Sequence, residues 1–125
     1  MARVTVTSRD AYYRLVLSGK ATSQKDRIMR YIIHVQRPVT RHEIDRFFHA
    51  QDGRGGYRAL DGGTPIPWQS MGGAVAGMKC KVDGCDHSGC KAYLAVDHIG
   101  PDPIVNEKVE FLVPIGDRWN QRLMF

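Results

Sequence analysis

Apolar positions in the first half of the chain recur every three to four residues, the spacing of one buried helix face. The clearest stripe is Ile28, Tyr31, Ile32 and Val35, opened by Ser23 with Asp26 and stopped by Pro38. Thr40-Arg41-His42-Glu43 is a full capping box ahead of Ile44, Phe47 and Phe48, and predicts the next helix. Upstream, Thr7 with Asp10 resembles a capping box, Tyr12, Leu15 and Val16 form a short apolar face, and Gly19 suits a C′ position. This predicts a leading helix over 7–19. After these segments, Trp68, Met71, Val75 and Met78 repeat at helical spacing behind Pro67, which suits a first helical turn.

The other face of that last helix carries Gln69, Ser70, Gly73, Ala76 and Gly77, small and uncharged. Two glycines inside a helix cost roughly 1 kcal/mol each against alanine. Either another element of the domain packs closely there, or the face is a smooth surface for a partner. The period then changes to two. Tyr93–Ile99 and Lys108–Val113 read as strands joined by the turn Gly100-Pro101-Asp102-Pro103, with Pro114 limiting the second strand to an edge. Residues 93–115 would form a two-stranded wing. Between the second and third full helices, residues 51–64 hold five glycines in 14 positions and read as a flexible surface loop. The tail 116–125 ends Leu123-Met124-Phe125, either packed back on the core or forming a homodimer contact.

Composition narrows the class. The 125 residues are 42% hydrophobic and 25% charged, ordinary for one soluble domain. No apolar run approaches the roughly 18 residues of a membrane span, and Met1–Val6 has no signal-peptide core, so the expectation is a cytoplasmic protein without a membrane partner. Charge is uneven: residues 1–60 hold 12 Lys/Arg against 5 Asp/Glu, whereas residues 61–125 hold 6 against 8. The first half is therefore the candidate face for an acidic partner.

All three cysteines lie in Cys80-Lys81-Val82-Asp83-Gly84-Cys85-Asp86-His87-Ser88-Gly89-Cys90, with one histidine among them. In a reducing compartment such a set suits a metal better than a disulfide. Three thiolates and an imidazole fit tetrahedral zinc, so Cys80, Cys85, His87 and Cys90 are candidate ligands of a structural ion. The C-x4-C-x-H-x2-C spacing is not that of a standard zinc knuckle, and three ordinary thiols in the 80–92 loop are the plain alternative. No nucleophile-elbow, P-loop, dinucleotide or H-E-x-x-H pattern is present, and Asp97-His98, adjacent on a strand, should point to opposite faces. The sequence is not read as an enzyme.

The opening Thr7-Ser8-Arg9-Asp10-Ala11-Tyr12, then Ser18-Gly19-Lys20, then Gln24-Lys25-Asp26-Arg27-Ile28, resembles that of small phage and prophage winged-helix proteins. Val39-Thr40-Arg41-His42-Glu43-Ile44 is similar to their entry into the second helix. The resemblance implies an α+β winged-helix domain of leading short helix, three-helix core and wing, which binds double-stranded DNA in transcription or phage development within a host bacterial cytosol. On that reading Arg41, His42, Arg46, Arg54 and Arg58 contact phosphates. Gln69, Ser70 and Lys79 approach the major groove, and Lys81 and Lys91 touch an adjacent backbone segment. Two departures support a rival. The 51–64 stretch replaces a turn of a few residues, and the third helix lacks the Arg, Lys and Asn that commonly read base edges. The rival is a phage-encoded inhibitor or adaptor that binds a host defence or transcription complex.

Overall fold

The computed structural model describes residues 4–116, with side chains from residue 9 onward. In chain order the elements are α1 (Val4–Leu17), α2 (Gln24–Val35), α3 (Arg41–Phe48), β1 (Ala50–Gln51), β2 (Tyr57–Arg58), α4 (Trp68–Met78), β3 (Leu94–Pro101) and β4 (Lys108–Pro114). The class is α+β, with four helices and two antiparallel two-stranded sheets, β1–β2 and β3–β4. The apolar tail, for which core packing or a homodimer contact was expected, lies in residues 117–125 outside the described residues.

α2 and α3 begin where their caps predict. Ser23 and Thr40 each accept the N–H three residues on, while Asp26 and Glu43 reach back to the cap N–H. Each box satisfies donors that a helix start leaves orphaned, and loss of such a cap typically costs ~1 kcal/mol. α2 ends at Gln36, which is left-handed at φ 57° and lies before Pro38. α1 departs from expectation. It starts at Val4, so Thr7 lies within the helix and does not cap it. Its buried side is Arg9, Tyr13 and Val16, while Leu15 is 48% exposed and Tyr12 half-buried. The apolar pattern put the face one residue out because an arginine and a tyrosine do part of the burying.

One core unites Val16, Ile28, Ile32, Ile44, Phe48, Ile66, Met71, Val75, Met78, Leu94 and Leu112 with the ring of Tyr13. The Tyr13 hydroxyl reaches the Tyr93 and Ile115 carbonyls at 2.8 and 3.0 Å, which fastens α1 to the chain on either side of the β3–β4 pair. Val39, between α2 and α3, exchanges both backbone hydrogen bonds with Leu112 of β4. β4 is thus bordered by β3 on one side and by Val39 on the other, so Pro114 does not make it a free edge. At the other end, Met78 and Cys80 bond the backbone of Tyr93 and Leu94, closing the 80–92 loop at its base.

One further expectation is corrected and one pair of alternatives is narrowed. Residues 51–64 are not a structureless loop: Ala50 pairs with Arg58 and Gln51 with Tyr57, forming the β1–β2 hairpin. Glycine count hid the hairpin because Gly53 and Gly55 serve its turn at φ 81° and 84°. And nothing packs closely on the glycine face of α4: a Cβ added at Gly72, Gly73 or Gly77 would meet no heavy atom within 4 Å. Among the described residues that face is open.

Candidate metal centre and nucleic-acid interface

The Cys-rich loop folds as two tandem turns. Cys85 N–H donates to the Val82 carbonyl across Asp83-Gly84, and Cys90 N–H donates to the His87 carbonyl across Ser88-Gly89. Gly84 and Gly89 take φ 69° and 80°, which explains the repeated glycine-then-cysteine order. Asp86 accepts from the Ser88 N–H and hydroxyl and fixes the link between the turns. The turns bring the ligand atoms of Cys80, Cys85, His87 and Cys90 within 4.8 Å of one another, and this cluster could hold a metal ion. Cys80 and Cys90 sulfurs stand 3.7 Å apart.

Three features match a ligand set rather than incidental thiols. His87 Nδ1 is buried with no hydrogen-bond partner, which a native interior rarely tolerates. His87 itself takes φ 65°, a strained conformation for a side chain of its size. And the His87 and Ala92 N–H groups donate to the sulfurs of Cys85 and Cys90 at 3.3 and 3.4 Å, as supports that orient thiolate ligands do. The Cys85 thiol accepts the His87 N–H, which favours its thiolate. Burial and the neighbouring sulfurs outweigh that bond, and its pKa stands above the usual value. A cation among the sulfurs removes that repulsion. A cavity of about 410 Å³ opens beside the cluster, lined in part by Cys80, Cys85, His87 and Lys81.

The basic candidates divide. Lys79 donates to Glu110 of β4 at 2.6 Å with its side chain largely buried, so it is committed within the fold and not free for the major groove. His42 is committed as well: its Nδ1 lies 2.7 Å from Asp102, whose side chain is fully buried, and its ring stacks on Trp68 at 4.9 Å. Burial pushes the Asp102 carboxyl up, but the Ile104 N–H and the His42 imidazole outweigh it and hold the pKa below the usual value. Neither residue offers a phosphate a free hydrogen-bonding cation. Lys81 and Lys91 are exposed on the Cys loop ahead of β3.

Several cations of the basic first half are also held within the fold or by a neighbouring side chain. Arg27 forms a two-bonded pair with Asp61 at 2.8 Å, Arg9 donates to the Cys90 and Ala92 carbonyls, and Arg30 donates to the Val16 and Ala21 carbonyls. Arg37 pairs with Glu43, Arg14 with Asp10, and Lys25 lies over the rings of Tyr12 and Tyr93. Arg41, Arg46, Arg54 and Arg58 have neither an ion pair nor a side-chain hydrogen bond among the described residues, and all lie on α3 or the β1–β2 hairpin. Gln69 and Ser70 are exposed in the first turn of the adjoining α4, whose cap residue Pro67 supplies no side-chain bond.

Sequence reasoning missed two aromatic contacts that organise this side, His42 on Trp68 and His49 on Tyr57 at 3.8 Å. Trp68 and Tyr57 remain 43% and 48% exposed. It also placed Asp97 and His98 on opposite faces. A bulge between Val96 and His98 brings them together, with Nδ1 and carboxylate 2.7 Å apart on the surface. No helix among the described residues is long and apolar enough to cross a membrane. Comparison with protein-family models, curated proteins and solved structures gives no match for the chain.

Proposed function

We propose that the chain is a winged-helix protein that binds double-stranded DNA, a regulator of the phage type, with a structural zinc ion closing the loop ahead of its wing. The observation that carries this reading is the sorting of the arginines. Arg9, Arg27 and Arg30 of α1 and α2 staple the fold, while Arg41, Arg46, Arg54 and Arg58 stay unpaired on α3 and on the hairpin that precedes α4. Element order supports it: α2, the single paired residue Val39, α3, α4 and the β3–β4 pair follow the winged-helix order, with Val39 bridging to β4. α4 then stands as recognition helix. Its first turn has free backbone donors, no acidic residue, and Gln69 and Ser70 at hand for a base edge or phosphate.

The zinc assignment rests on distance and ligand type. Zinc–sulfur bonds of about 2.3 Å at a tetrahedral angle put two sulfurs about 3.8 Å apart, against the 3.7 Å between Cys80 and Cys90. A Cys3His set fills all four positions, so the ion would supply folding energy and no open site for substrate.

Fluorescence anisotropy with unrelated duplex DNA across a salt series tests the DNA reading. Four phosphate contacts predict a log–log salt slope of about −3.6, or roughly 150-fold weaker binding at 200 mM than at 50 mM salt. The Arg41→Ala/Arg46→Ala double variant should lose about half that slope. No binding at low salt would overturn the reading. One observation favours the rival, a protein that docks on a host defence or transcription complex. The α4 face at Gly72, Gly73 and Gly77 is open and has no side chain with which to read bases. A host-protein complex captured on that face and lost in Gly73→Glu, without DNA binding, would decide for it.

A further inference from the structure

We infer that the β1–β2 hairpin is a second wing, which carries Arg54 into the minor groove of the DNA next to the segment held by α4. The inference rests on the DNA reading above and adds a contact that the three-helix core and the β3–β4 wing do not provide. The hairpin occupies the place of the short turn between α3 and α4, so with α4 in the major groove it would reach the bordering phosphate ridge.

Its construction is that of a rigid, narrow probe. Asp52 Oδ1 accepts the Arg54 and Gly56 N–H groups at 2.7 and 3.0 Å, and the Asp52 N–H donates to the Gly56 carbonyl. At the base, Tyr57 stacks on His49, the residue that caps the end of α3, at an interplanar angle of 10°. The chain beyond is tied to α3 by Leu60 N–H on Phe47 O and Ile66 N–H on Phe48 O, and to α2 by Asp61 on Arg27. The tip is therefore held at a fixed place, with little ordering left to occur on binding. On either side of Arg54, Gly53 and Gly55 have no heavy atom within 4 Å of where a Cβ would sit. With the Asp52 carboxylate folded into the turn's own hydrogen bonds, Arg54 is the one uncommitted side chain among residues 52–56.

A minor groove about 6 Å wide admits such a tip, and narrow A-tract grooves concentrate negative potential that draws a guanidinium. Arg58 at the foot of the hairpin and Arg46 on α3 are exposed, and would serve the phosphates that flank the groove. An acidic protein face would also attract these arginines; the minor groove follows from the DNA reading above, and the test separates the two.

The test compares wild type, Arg54→Ala and Arg54→Lys on duplexes of equal length with an A-tract or a G·C flank, each with and without a netropsin-class minor-groove ligand. Arg54 has no ion pair, so unchanged thermal unfolding of the variants checks that the fold is intact. Wild type should favour the A-tract duplex about tenfold and lose that preference when the groove ligand is added. Arg54→Ala should show neither effect while keeping salt-dependent binding to the G·C duplex, and Arg54→Lys should fall between. An alanine variant that keeps the preference and the ligand sensitivity overturns the second wing and leaves the DNA reading standing. Wild type that binds neither duplex overturns both. Binding of poly-glutamate that is lost in Arg54→Ala would then reassign the hairpin to an acidic protein partner.

Discussion

If the Cys80–Cys85–His87–Cys90 cluster holds the proposed zinc, its removal should soften the whole domain. The loop they form is closed at its base by the pairing of Met78 and Cys80 with Tyr93 and Leu94, where α4 meets β3. Arg9 of α1 donates to the Cys90 and Ala92 carbonyls, so the leading helix leans on the same loop. An ion that binds only the folded chain at 100 times its dissociation constant stabilises it by about 2.7 kcal/mol. A chain of 125 residues has an unfolding entropy on the order of 260 cal/mol/K, so that stabilisation corresponds to about 10 °C in Tm. Chelation in reducing buffer should therefore lower Tm by about that amount, and added zinc should restore it. Metal analysis should give one zinc per chain, and X-ray absorption should give three sulfurs at about 2.3 Å with one nitrogen at about 2.0–2.1 Å.

His87→Gly sharpens the assay because two effects oppose each other in it. His87 takes φ 65°, so glycine relieves backbone strain of about 1 kcal/mol or more. In the metal-free protein the variant should be as stable as wild type or more so. In the zinc-loaded protein it should be less stable, since the ligand is lost. If His87→Gly raises Tm equally with and without zinc, or if chelation leaves the wild-type Tm unchanged, the metal reasoning is refuted.

Other consequences are as direct. Gly73→Ala and Gly77→Ala meet open space on α4 and should each stabilise the protein by about 0.5–1 kcal/mol in urea unfolding; a loss of stability would mean the face is covered. Asp61→Ala leaves the largely buried Arg27 without its two-bonded partner, and should cost about 2–3 kcal/mol in the same assay, whereas Arg54→Ala should cost under about 0.5. The Asp102 carboxyl titrates below its usual value, so its tie to His42 stabilises the fold above the ordinary carboxylate range near ~3.9 and is lost as pH falls through the lowered folded-state value. Asp102→Asn should therefore be less stable than wild type at pH 7, with the difference narrowing on acidification; a constant difference would rule out the linkage.

Much of the fold was legible because its signals are local. The capping boxes at Ser23 and Thr40 and the stripe of Met71, Val75 and Met78 act within one helical turn or one face, and α2, α3 and α4 follow them closely. The cysteine cluster was legible for the same reason, since two glycine turns suffice to gather its ligands. What escaped depends on partners far along the chain. Lys79 is claimed by Glu110 and His42 by Asp102, separations of 31 and 60 residues that no periodicity encodes. The face of α1 is misread for a related reason. Arg9 spends its guanidinium on carbonyls over 80 residues away, so a charged residue occupies the buried side and Leu15 is left outside.

Net charge is the clearest case of a true number with a misleading first meaning. The surplus of Lys and Arg before residue 60 suggests a broad basic face, yet Arg9, Arg27 and Arg30 are bound to carbonyls or a carboxylate within the fold, and Arg14 and Arg37 have acidic partners. A guanidinium suits that task because its fixed fork of donors can satisfy several carbonyls at once, which a lysine cannot do with the same geometry. Removing the staples from the count leaves a smaller and more informative set. Arg41 and Arg46 stand on α3 and Arg54 and Arg58 on the hairpin, contiguous in sequence with the open helix α4. Affinity for a polyanion scales with the cations free to replace its counterions, not with formal charge. The α3 and hairpin arginines supply a salt slope near four contacts, and contact by the exposed Lys81 and Lys91 would steepen it; either lies below the slope of the full basic surplus.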